Sequence, residues 1–94
     1  MDRGPVIESS GNVFADLGFS PEESTLLAMR AELMVRLREI ITDRGWTQKE
    51  ASIILGIGQS RVSDLVRGKW DKFSLDMLVT LVTRTGKHVE LAVV

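Results

Sequence analysis

The chain has no cysteine and a single histidine, and these scarcities exclude several kinds of chemistry. Without thiols there is no disulfide, no Fe–S cluster and no cysteine nucleophile. A metal site would have to combine His88 with carboxylates alone, which is an improbable ligand set, so we predict no metal and no cofactor. Ser63, Asp64 and His88 are residue types found in catalytic triads, but their spacing forms no nucleophile elbow. We therefore expect a protein that is not an enzyme.

Long apolar runs are also missing, since none exceeds about four residues. This predicts no transmembrane helix and no membrane partner. The first ten residues, MDRGPVIESS, contain no apolar stretch of the kind that a secretory signal requires, so we expect a cytoplasmic protein. A length of 94 residues with 44% apolar and 27% charged residues is typical of one small globular domain.

The charges are distributed unevenly along the chain, although the net charge is only −1. Residues 1–40 carry a net charge of −3, whereas residues 41–94 carry +2. Affinity for nucleic acid depends on a local basic face and not on the net charge of the whole protein. The uneven distribution is therefore compatible with two different partners for the two parts of the chain.

Two sequence segments have the signature of a capping box, in which Ser or Thr is followed three residues later by Glu. The first is Ser20-Pro21-Glu22-Glu23, and it predicts a helix that runs to about Asp43 and ends at Gly45. Its inward stripe is predicted from apolar residues that recur every three or four positions. These residues are Leu26, Met29, Leu33, Leu37 and Ile40, widened by Leu27, Met34 and Ile41.

The second capping box, Thr47-Gln48-Lys49-Glu50, predicts a short helix that ends near Leu55. A tight turn over residues 56–58 follows, in which two glycines can adopt positive φ. The next helix is predicted over about residues 59–67, with Val62, Leu65 and Val66 on its inward side.

The end of the chain predicts one more helix and a strand. Ser74 is a suitable cap for a helix that Gly86 ends, and Phe73 can pack on Leu78 as a hydrophobic staple. Residues 88–94 alternate as in a strand, with Val89, Leu91 and Val93 on one face. Such a strand needs a partner from the N-terminal segment, from a second copy of the chain or from another protein.

These elements predict a mainly α fold, a helix-turn-helix bundle of four to five helices with a C-terminal β-strand. Residues 1–19 are expected to form an irregular segment that packs on the core or on a partner. Residues 20–86 form the helical domain, with its central motif at 47–69, and residues 87–94 form the terminal strand, a possible dimerisation element.

The segment from Thr47 to Lys69 has the pattern of a helix-turn-helix, in which the second helix is presented to the major groove of DNA. Its residues TQKEASIILGIGQSRVSDLVRGK resemble the XRE/Cro-type helix-turn-helix regulators, whose fold is like that of lambda repressor. One departure is Gly58, where such motifs commonly have a Ser or Thr cap; glycine there costs only a few tenths of a kcal/mol.

Over nearly its whole length the chain is similar to the HigA-type antitoxins of that superfamily. The residues that carry this similarity are 12–19, the long helix ending at Arg44-Gly45, the motif at 61–69 and Phe73–Leu78. The resemblance implies an antitoxin that represses its own operon and neutralises a RelE/HigB-like mRNA-cleaving toxin. It also implies that the N-terminal segment and first helix engage the toxin, and that a homodimer binds a palindromic operator.

The polar residues at the start of the second motif helix are the candidates for reading base edges in double-stranded DNA. They are Gln59, Ser60, Arg61 and Asp64. The candidates for phosphate contacts lie at the start of the first motif helix and after the second. They are Thr47, Gln48, Lys49, Arg67, Lys69 and Lys72.

Several alternatives stay open at the level of the sequence. Gln59 and Arg61 could be solvated surface residues, and Asp64 could orient an arginine instead of reading a base. Trp46 is expected to pack between the first two helices and Trp70 on the core or its rim, and neither is expected to stack on nucleic acid. The whole chain could be a free-standing, phage-type repressor without a toxin, or a protein-interaction adaptor.

Overall fold

Five α-helices and one short 3-10 turn make up the regular secondary structure of residues 13–94, which are the residues that the computed structural model describes. The helices are α1 (Val13–Asp16), α2 (Pro21–Asp43), α3 (Gln48–Leu55), α4 (Gln59–Val66) and α5 (Leu75–Arg84), and the 3-10 turn is Trp70–Lys72. The prediction of a mainly α bundle with four to five helices is confirmed.

The three predicted side-chain caps, at Ser20, Thr47 and Ser74, are confirmed at the level of individual hydrogen bonds. At α2, the Glu23 amide donates to Ser20 Oγ at 3.2 Å, and the Ser20 amide donates to Glu23 Oε1 at 3.2 Å. Thr47 and Glu50 exchange the same pair of bonds at α3, while Ser74 Oγ accepts from the Met77 amide at 3.1 Å at α5. Each cap involves residues three apart, so the local sequence is sufficient to specify it.

One apolar core is shared by α2, α3, α4 and α5. Leu37, Leu55, Val62, Leu65 and Leu78 are almost fully buried in it. The cluster is completed by Met34, Ile41, Ala51, Phe73, Leu81 and Val82. Phe73 and Leu78, the two residues of the predicted staple, both belong to it. The core therefore holds the two motif helices against the second half of α2.

The first half of α2 is less buried than the predicted stripe requires. Leu26 is 45% exposed, while its neighbour Leu27 is buried. In the second half of the helix, Met34, Leu37 and Ile41 reach the shared core. The prediction that Leu26 faces inward is wrong because Ser24 and Leu27 form the buried side of this part of α2, and Leu26 lies about 100° away from Leu27 around the helix.

Part of the predicted irregular N-terminal segment is helical. Val13–Asp16 form α1, whose Phe14 is buried and contacts the rings of Phe19 and Trp70 edge to face, at centroid distances of 6.2 and 5.5 Å. The short helix is held by these ring contacts, of which Phe14–Phe19 is local and Phe14–Trp70 joins residues far apart in the sequence. Residues 1–12 of that predicted segment lie outside the described residues.

The predicted C-terminal β-strand is not seen. Residues 87–94 have no strand assignment, and the remainder of the described chain is helix, turn or loop. Val89 packs against the core, while Leu91, Val93 and Val94 are exposed. The alternating pattern failed as a predictor because a strand also needs a neighbouring strand to which it can hydrogen-bond. Residues 13–86 contain no strand that could serve as this neighbour.

None of the helices in the described part of the chain combines the length and the apolarity that crossing a membrane requires.

Candidate nucleic-acid interface

Helices α3 and α4 form a helix-turn-helix unit whose turn is closely defined. Gly56 ends α3 in the left-handed region, with φ of 70°, and its amide donates to the Ser52 carbonyl at 2.8 Å. The Ile57 amide donates to the same carbonyl, and the Ser52 hydroxyl donates to the Ile57 carbonyl. Glycine suits this position because an L side chain rarely adopts the left-handed conformation.

The unit is also held from outside by an arginine of α5. Arg84 Nη1 donates to the Leu55 carbonyl at 2.7 Å, at the last residue of α3. This carbonyl lacks an intrahelical partner, and a cation at a helix C-terminus also interacts favourably with the helix dipole. A Cβ atom on Gly56 would lie 3.2 Å from Arg84 Nη1, so the guanidinium lies directly against the turn.

The inner face of the unit is fully apolar. Ala51, Leu55, Val62 and Leu65 have no measurable exposure. Ala51, the smallest of the four, belongs to the core cluster that α3 and α4 share. The two helices therefore have little freedom to change their relative position, and α4 presents its outer face as a rigid surface.

The N-terminus of α4 is polar and open to solvent. Its first two residues, Gln59 and Ser60, are exposed. Gly58 is the N-cap, with φ of −67°, and no side chain caps this end. The amide and hydroxyl groups of Gln59 and Ser60 are thus placed at the end of the helix that enters the major groove in helix-turn-helix proteins.

Arg61 and Asp64, the other two predicted base readers, are half-buried and contact the loop that follows α4. Arg61 Nη2 donates to the Lys72 carbonyl at 3.2 Å, and its guanidinium carbon lies 4.7 Å from the centroid of the Phe73 ring. Asp64 Oδ1 lies 3.6 Å from Lys69 Nζ. The structure therefore separates this pair from Gln59 and Ser60.

The predicted phosphate contacts lie in two groups. Thr47, Gln48 and Lys49 are exposed at the start of α3, where the Thr47 hydroxyl already accepts the Glu50 amide at 3.1 Å. The second group follows α4 and consists of Arg67, Lys69 and Lys72, all exposed. Lys69 is the member of this second group that pairs with a carboxylate.

The two tryptophans pack on the protein, as predicted. Trp70 lies against the core and meets the Phe14 ring at 5.5 Å with an interplanar angle of 82°. Trp46 is half-buried against the core, and the Arg44 guanidinium lies 5.2 Å above its ring.

Sequence reasoning missed the arginines that join one helix to the end of another. Arg38 Nη1 donates to the Val66 carbonyl at the end of α4, at 3.2 Å. Arg44 Nη1 donates to the Thr85 carbonyl at the end of α5, at 2.6 Å, and Arg84 does the same for α3. No signal in the local sequence identifies these contacts, since each joins residues 28 to 41 positions apart.

The described residues show no group of three or more His, Cys, Asp or Glu side chains that could hold a metal ion. One shallow cavity of about 150 Å³ lies between α2 and the segment after α4, and it is lined mainly by apolar groups such as Met34, Leu65 and Trp70. Neither observation adds a chemical site to the polar surface of the α3–α4 unit.

Comparison with known proteins agrees with this geometry. No curated protein sequence matches the chain. The profile of a protein family described as a helix-turn-helix domain matches residues 13–94, from the start of α1 to the last residue of the chain. The match covers the motif together with the helices that support it, and the chain therefore belongs to this helix-turn-helix domain family.

Proposed function

We propose that the protein is a sequence-specific DNA-binding regulator of transcription and not an enzyme. The observation that carries this proposal is the exposed, polar N-terminus of α4, held on an α3–α4 unit whose inner face is fully buried. Gln59 would read base edges, because a glutamine amide can contact adenine N6 and N7 together. Ser60 would contribute a hydroxyl that can donate or accept.

Phosphate contacts would come from both sides of the reading helix. Lys49 and Gln48 lie at the start of α3, and Arg67 and Lys72 follow α4, all of them exposed. About four to six such contacts per subunit predict a steep fall of affinity with salt, because each neutralised phosphate contributes about −0.9 to the log–log slope. A homodimer would place its two reading helices about 34 Å apart on a palindromic operator.

Fluorescence anisotropy with short duplexes tests this proposal. The duplexes are selected from a random library by the wild-type chain, and binding is titrated at several salt concentrations. A recurring palindrome among the selected duplexes, with Gln59→Ala weakening its binding, supports the proposal. A chain that retains no duplex at low salt, or a Gln59→Ala variant with an unchanged base preference, contradicts it.

We further propose that the regulator is an antitoxin and binds a basic toxin protein in the cytoplasm. The supporting observation is the surface of residues 13–29, which contains Asp16, Glu22 and Glu23 and no lysine or arginine. Apolar side chains are exposed on the same stretch: Val13, Leu17, Phe19 and Leu26. An acidic surface with exposed apolar residues suits a basic partner that buries both kinds of group.

Affinity purification from the native cell at low salt, followed by mass spectrometry, tests the second proposal. A stoichiometric basic protein whose binding is weakened by Leu17→Asp supports the antitoxin. Recovery of the chain alone, still able to bind its own upstream DNA, favours a free-standing repressor. A stoichiometric partner combined with no DNA binding favours an adaptor.

A further inference from the structure

We infer that Arg61 and Asp64 act as positioning residues for the DNA complex, and that base reading is left to Gln59 and Ser60. The inference rests on the proposed DNA-binding function and assigns separate roles within that surface. It concerns the loop of residues 67–73, hereafter the anchor loop, which carries Arg67, Lys69 and Lys72.

The anchor loop is connected to α4 by both side chains. Arg61 reaches it through the hydrogen bond to the Lys72 carbonyl at 3.2 Å, and Asp64 reaches it through Lys69 Nζ at 3.6 Å. Arg61 and Asp64 are one helical turn apart, so they lie on the same side of α4. The Lys69 amide also donates to the Asp64 carbonyl at 3.0 Å, which fixes the start of the connection.

The position of Arg61 is maintained by more than one contact. Its guanidinium lies over the ring of Phe73, a residue that is only 2% exposed, and its Nε atom is buried without a hydrogen-bond partner. A cation over an aromatic face is attracted by the charge distribution of the ring, and the attraction is stronger where the cation is removed from water. To reach a guanine, Arg61 would have to leave the ring, expose Phe73 and release the Lys72 carbonyl.

Gln59 and Ser60 lack such constraints. Both are exposed, and they precede Arg61 directly on α4. The four predicted base readers therefore divide into two exposed residues at the tip of α4 and two half-buried residues behind them. The second pair would hold Lys69 and Lys72 where the DNA backbone passes, so that the two lysines need little reordering when the complex forms.

The test compares four variants, and thermal unfolding first establishes that each of them is folded. Arg61→Met keeps a long stem over Phe73 but removes the charge and the donor, and Asp64→Asn removes the partner charge of Lys69. Gln59→Ala is the control for base reading, and Lys72→Ala is the control for a phosphate contact. For each variant the base preference at every operator position and the salt slope are measured on the duplexes selected by the wild-type chain.

We expect Arg61→Met and Asp64→Asn to keep the wild-type base preference, whereas Gln59→Ala relaxes the preference at one base pair of each half-site by roughly 5- to 150-fold. Lys72→Ala should reduce the salt slope by about 0.9 per subunit. The double variant Arg61→Met/Lys72→Ala should have about the same DNA affinity as whichever single variant binds DNA less tightly. The two losses are not additive because Arg61 acts through Lys72. A purely structural role would lower stability without this non-additivity.

A second measurement needs no DNA. In the wild-type chain the amides of Lys69, Trp70, Lys72 and Phe73 are all hydrogen-bonded, so their hydrogen exchange can be followed. Arg61→Met should accelerate exchange in the anchor loop and leave α3 unchanged. Unchanged exchange there would overturn the inference, as would relaxed base preference in Arg61→Met. A wild-type chain that binds no duplex would overturn the proposed function and this assignment together.

Discussion

The two ends of this molecule differ in how their apolar residues are used. At the motif end, α3 and α4 bury four apolar side chains completely and expose a polar tip with basic residues on either side. At the N-terminal end, α1 and the first half of α2 bury Phe14 and Leu27 but leave Leu17 69% exposed. Residues 13–29 at this second end carry acidic residues and no lysine or arginine.

This difference indicates that different interactions determine the conformations of the two ends. The conformation of the motif end is determined by the packing of buried apolar side chains and by arginine contacts to the ends of α3 and α4. At the N-terminal end, the Phe14 ring meets the Trp70 ring of the anchor loop edge to face, at a centroid distance of 5.5 Å. The following predictions test this contrast.

The largest expected effect is on stability. Leu65→Ala removes a fully buried side chain at the α4 core and should lower the free energy of unfolding by about 2–5 kcal/mol. Leu17→Ala makes the same chemical change at a 69% exposed position and should cost less than about 0.5 kcal/mol. Urea unfolding of both variants measures the difference. Similar losses for the two would mean that the N-terminal end contributes to the core as much as the motif end.

The next effect concerns DNA binding alone. Gln59→Ala should weaken binding to the selected operator by about 1–3 kcal/mol and leave binding to unrelated duplexes almost unchanged, because one base contact is lost. Its control, Thr80→Ala, alters an exposed residue of α5. Anisotropy titrations of both variants on both duplexes are the measurement. An equal loss of operator affinity in Thr80→Ala would contradict the assignment of base reading to the tip of α4.

The two capping boxes provide a matched pair, one at each end. Ser20→Ala and Thr47→Ala each leave helix amides without their side-chain acceptor and should each lower the free energy of unfolding by about 1 kcal/mol. Thr47→Ala alone should also weaken the DNA complex, since Thr47 lies at the start of α3. Thermal unfolding and anisotropy separate the two effects. Weaker DNA binding in Ser20→Ala would show that the ends are coupled.

The smallest expected effect is a gain in stability. Gly58→Ser should raise the free energy of unfolding by a few tenths of a kcal/mol, because Gly58 has φ of −67° and its helix lacks a side-chain cap. A Cβ there would meet only Ser60 Oγ, at 4.0 Å, which is an ordinary contact. Differential scanning calorimetry detects the shift in melting temperature. A loss of stability would mean that the α4 tip needs glycine for a reason beyond capping.

Much of the fold was predictable because its determinants are local. The capping boxes at Ser20 and Thr47 and the glycine turn at Gly56 each involve residues within five positions of one another. The motif 47–69 and its buried face followed from helical periodicity. The exposed base-reading candidates Gln59 and Ser60 were identified for the same reason, since position on a short helix determines which side they lie on.

Other features required the tertiary structure because they depend on residues distant in the sequence. The donors Arg38, Arg44 and Arg84 meet carbonyls 28 to 41 positions away, and Arg61 folds back on Phe73 across the anchor loop. The predicted strand at residues 87–94 failed because alternation describes a face but supplies no partner strand. By itself, the sequence determined the helices and the motif through hydrogen bonds and periodicity over a few residues. Only the tertiary structure decided which polar side chains of α4 are open to a ligand and which ones hold the protein's own loop, because burial and ion pairing depend on the packing of separate helices.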